Sequence, residues 1–104
     1  MADNNNKYSL TAVMLLKANL GFYDTTIPDD LDTYLRQLLE YAHDDFARMG
    51  IHLKSGTISD DMDQMTDAAW MYRSGVNGSG KNEMLKAIIR NRQVQNATTE
   101  EAVT

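Results

Sequence analysis

The sequence predicts an all-α domain, a small bundle of about four helices with a short loop or hairpin between the second and third and flexible termini. Three observations predict it. Apolar residues recur at helical spacing in four separate stretches, and capping residues precede several of them. Glycine follows where the spacing fails. At 104 residues and 11.7 kDa the chain has room for one domain.

Residues 1–8 are polar, with Asn4, Asn5 and Asn6 in a row, and read as a flexible arm. Ser9 is placed to cap a first helix carrying Val13, Leu16 and Leu20, and Gly21 to end it in a left-handed conformation. Phe22 to Pro28 reads as a loop, because Pro28 holds Ile27 extended and Asp24, Thr25 and Thr26 favour local turns.

The second helix is the clearest element. Leu31, Leu35, Leu38, Leu39, Ala42, Phe46 and Met49 share one face, with Asp29 as N-cap, Asp32 in the first turn and Gly50 just past the end. Its expected length is roughly 30 Å at 1.5 Å per residue. Ile51 to Ile58 alternates loosely around Ser55-Gly56, which suits either a tight loop or a short hairpin. Ser59 reads as the cap of a third helix with a Met62, Met65, Ala69 and Tyr72 stripe. After the loop Gly75 to Gly80, Met84, Leu85, Ile88 and Ile89 form the apolar face of a fourth helix, which bears Arg90 and Arg92. The pattern fails from Val94, so the folded domain is expected to span 9–93 and a flexible tail 94–104.

Composition restricts function. A net charge of -5 and a pI near 4.8 argue against tight binding to a phosphate backbone, which Lys and Arg drive by releasing counterions. With no cysteine, the chain has no disulfide, thiolate metal site or cysteine nucleophile. No apolar run approaches the roughly 18 residues of a membrane span, and Met1 to Lys7 lacks a signal peptide's apolar stretch, so a soluble cytoplasmic protein is expected.

Motifs for chemistry are weak. Gly75 to Lys81 satisfies G-x-x-x-x-G-K, but Asn82 stands where Ser or Thr would hold magnesium, and the preceding segment is patterned as helix rather than strand. His43, Asp44, Asp45 and His52 lack the spacing of a metal site. Asp60, Asp61 and Asp63 lack the glycine and closing glutamate of a calcium loop and read as first-turn acids facing the helix dipole. No serine has a recognisable base and acid, so no enzyme, cofactor or metal is expected.

Two features suit protein contact instead. Acids dominate Asp24 to Asp67 while Lys81, Lys86, Arg90 and Arg92 make the last helix basic, a polarity suited to head-to-tail contacts or simply to solvated faces. Trp70 is expected in the core, with its neighbours Met71, Tyr72 and Arg73 open to a partner. The candidate interface is therefore Met71, Tyr72, Arg73, Lys86, Arg90 and Arg92.

The order of elements carries a resemblance. A short capped helix, Ile27-Pro28-Asp29-Asp30-Leu31 opening a long one, Ala69-Trp70-Met71-Tyr72-Arg73 closing a third, and Met84 to Arg92 ending in Asn91-Arg92 together resemble the head-tail connector (adaptor, or head completion) proteins of long-tailed bacteriophages. The match spans most of residues 9–93, with Glu83-Met84 where many such proteins carry a proline.

The resemblance implies a non-enzymatic helical subunit of a ring, commonly a dodecamer, joining the portal protein to tail-side neck proteins. Such a ring extends the channel through which DNA passes without specific binding, and its C-terminal segment contacts the portal. The chain would then reside in the virion, and in the host cytoplasm during assembly. Acidic groups lining the channel would repel phosphates over about 8 to 10 Å at physiological salt. The competing reading is a small acidic regulator that binds a host or phage protein.

Overall fold

Residues 7–22, 26–75 and 83–103 are described by the computed structural model, with side chains through residue 95. They form four helices: α1 (Leu10–Asn19), α2 (Asp29–Arg48), α3 (Ile58–Ser74) and α4 (Glu83–Val103). No described residue is in a strand, and no described helix is long and apolar enough to cross a membrane.

Local chemistry sets the ends of the first two helices. Ser9 is extended (φ -102°, ψ 164°), and its hydroxyl accepts from the Ala12 N–H, which satisfies a donor the helix cannot use. At the other end Gly21 adopts φ +92°, its N–H bonds Ala18 and that of Phe22 bonds Lys17, the paired arrangement of a Schellman cap. Gly50 repeats it after α2 with φ +83°, and the Ile51 N–H returns to Phe46. Ile51 and Phe46 then pack together in the core, the apolar contact that usually accompanies this cap.

Helix α2 has 20 residues, hence a length of about 30 Å, as expected. Its first residue is Asp29 and its cap is Pro28, with no side-chain capping bond, so Asp29 is not the N-cap. The proline's φ of -59° and ψ of 150° bring the chain in extended, and its carbonyl takes the Asp32 N–H. The Ile51 to Thr57 segment is a loop with a tight turn rather than a hairpin. The Thr57 N–H bonds the Lys54 carbonyl, and Gly56 (φ +94°) occupies the position where such a turn needs glycine.

Helix α3 lies at the centre of the bundle and starts one residue before Ser59; Thr57, not Ser59, is its cap. Its buried face differs from the expected stripe. Met65, Ala68, Ala69 and Met71 are covered, and so are the polar Asp60, Asp61, Gln64 and Asp67, whereas Met62 is 47% exposed. The starts of α1 and α3 lie together, since Ser9 bonds Asp61, and so do their ends, since Arg73 bonds the Asn19 carbonyl. These two helices therefore run parallel, and α2 runs antiparallel to both, with Lys17 of α1 paired to Asp32 and Tyr34 beside Tyr72.

The main core joins α1, α2 and α3 through Val13, Leu16, Leu35, Leu39, Ala68 and Met71. A smaller cluster of Phe46, Ile51, Leu53 and Ile89 fastens α4 to the end of α2 and the following loop. Helix α4 continues to Val103, ten residues beyond the expected boundary at 93. The apolar pattern stops at Val94, which is 60% exposed, while the backbone stays helical. The expected arm also shortens, because Lys7 pairs with Asp44 and Tyr8 packs on the main core. The rest of that arm, residues 1–6, lies outside the described residues, as do 76–82 with Lys81 and most of the glycine-rich motif. What precedes Gly75 is α3, so the strand that a phosphate-binding loop requires is not there.

Candidate functional site

The first turns of α3 hold a polar node that the apolar pattern could not reveal. Asp61, 1% exposed, accepts the Ser9 hydroxyl on one carboxylate oxygen (2.8 Å) and the Gly56 N–H on the other (3.2 Å). Asp60 accepts the Lys54 N–H on Oδ2 (2.8 Å) and faces Arg92 Nη2 with Oδ1 (2.6 Å). Asp63 completes the grip, with Oδ2 2.6 Å from Arg92 Nε. One turn further, the Gln64 amide donates to the carbonyls of Lys7 (2.6 Å) and Leu39 (2.8 Å). The node thus ties the N-terminal segment, the loop and α4 to α3.

Burial alone would lower the pKa of Arg92, but the carboxylates of Asp63 and Asp60 reverse that effect and raise it above the ordinary guanidinium value. Both oxygens of Asp60 and of Asp61 are occupied as acceptors. Such a constellation fastens elements together; the dipole role expected from sequence is only part of what these acids do.

A second polar seam joins α1 to α2. Asp32 lies 2.8 Å from both Lys17 Nζ and Arg36 Nε, and the Lys17 hydrogen bond is the largest influence holding its pKa below the usual carboxylate value. Burial raises that of Asp44, yet the bonds from Lys7 and His43 outweigh it and leave the group lowered. His43 Nδ1 sits 3.4 Å from Asp44 Oδ1. Among the described residues no three His, Cys, Asp or Glu are grouped to hold a metal ion.

The residues expected at an interface differ in exposure. Met71, 1% exposed, belongs to the core of its own chain and leaves the set. The register explains the error: Met71 shares a face with Gln64 and Ala68, both buried, while Trp70 is partly buried and packs against the same core, as expected. Tyr72 is also partly buried, in an edge contact with Phe22 at 6.5 Å. Arg92 is taken up by Asp60 and Asp63. Arg73, Lys86 and Arg90 are exposed, with Lys86 3.6 Å from Glu83.

The seam between α3 and α4 leaves a cleft of about 170 Å³ lined by Asn19, Thr66, Ala69, Trp70, Arg73 and Met84. Farther along it, a shallower depression lies among Ser59, Asp63, Ile88, Asn91, Arg92 and Gln95. Large apolar side chains also face solvent, above all Leu10 and Met14, each 69% exposed one turn apart on α1. No family model matches the chain, and no match to a curated protein or to a solved structure was found.

Proposed function

We propose that this chain is a structural virion protein, a head-tail connector subunit that assembles into a ring beneath the portal and extends the DNA channel toward the tail. The observation that carries the reading is α4. Its first turns are held by Ile89 in the cluster of Phe46, Ile51 and Leu53 and by Arg92 between Asp60 and Asp63, and its backbone stays helical to Val103, eleven residues (about 16 Å) past Arg92. A helix of that length gains little stability from its own hydrogen bonds, so packing partners matter to it. In the proposed ring, a neighbouring protein packs against this end of α4.

The order of elements supports the same reading. Pro28 opens the long helix α2, Ala69 to Arg73 close α3, and Asn91-Arg92 fall where α4 is clamped to the bundle. In this role the chain catalyses nothing and needs no cofactor. Its partners are further copies of itself in a ring, commonly of twelve, with the portal protein and tail-side neck proteins above and below. DNA passes through the channel without specific contacts, and the net charge of -5 suits such passage. Its place is the virion, reached from the host cytoplasm during assembly.

The test is co-expression with the portal protein encoded in the same genome, followed by negative-stain microscopy and mass analysis of purified virions. A connector gives a ring seated on the portal and a fixed stoichiometry in particles. A chain absent from particles that instead captures a soluble protein is the acidic regulator, and the proposal fails.

A further inference from the structure

We draw no further inference here: the strongest candidate, the exposed apolar pair Leu10 and Met14 on the outer side of α1, carries nothing because nothing in the structure shows what covers it.

Discussion

Arg92 shows how much one side chain can hold in a domain this small. Its guanidinium lies between Asp60 and Asp63, with side chains only 21%, 13% and 23% exposed respectively. Arg92→Leu strands two carboxylates near the protein interior, and we expect a loss of about 2 to 3 kcal/mol, toward the low end for breaking a buried pair because some solvent reaches all three groups. Urea unfolding measures it. A triple variant that also carries Asp60→Asn and Asp63→Asn should recover part of the loss, since the penalty comes largely from charge left unpaired. Asp32 gives a pH signature. Its pKa is lower in the fold than in the unfolded chain, so its contribution is present above about pH 4 and disappears as pH falls through the folded value. Thermal melts between pH 6 and 2.5 should therefore show a steeper acid-side decline in the wild type than in Asp32→Asn.

At the scale of elements, the glycine caps decide where helices stop. Gly50 has φ +83° and open space where a Cβ would sit, so Gly50→Ala should cost about 1 kcal/mol through backbone strain alone. The urea midpoint should fall while the slope of the transition stays constant. Both this cap and the one at Gly21 were legible in the sequence, because glycine after an apolar helical stripe has a direct steric meaning. So were Ser9 and the whole face of α2. Helix α3 was less legible. Apolar periodicity assigned Met62 to the core and passed over Gln64 and Asp61, whose burial depends on partners as distant in sequence as Lys7, Leu39 and Ser9. A polar residue buried with its hydrogen bonds satisfied leaves no periodic trace. The same limit hid Arg92 as a fastener and placed Met71 on the wrong side of its helix. The end of α4 was missed for another reason: the residues after Val94 carry no apolar stripe at helical spacing.

Across the whole molecule, stability should reside in α1 to α3 and the first part of α4. Val94 is 60% exposed and Gln95 is exposed too, so a chain ending at residue 95 should keep its melting temperature within about 2 °C. Its far-UV helical signal should fall by the share of residues 96–103, while the near-UV spectrum around Trp70 stays unchanged. A large drop in melting temperature would mean that the last turns of α4 support the bundle. The pairing of α1 with α3 across the length of α2 also bears on synthesis. The Ser9 hydroxyl and the Lys7 carbonyl meet their acceptor and donor only once residues 61 and 64 have been made. On the ribosome the first half of the chain consequently waits as an unfinished helical hairpin, and the bundle closes late, when α3 has cleared the exit tunnel.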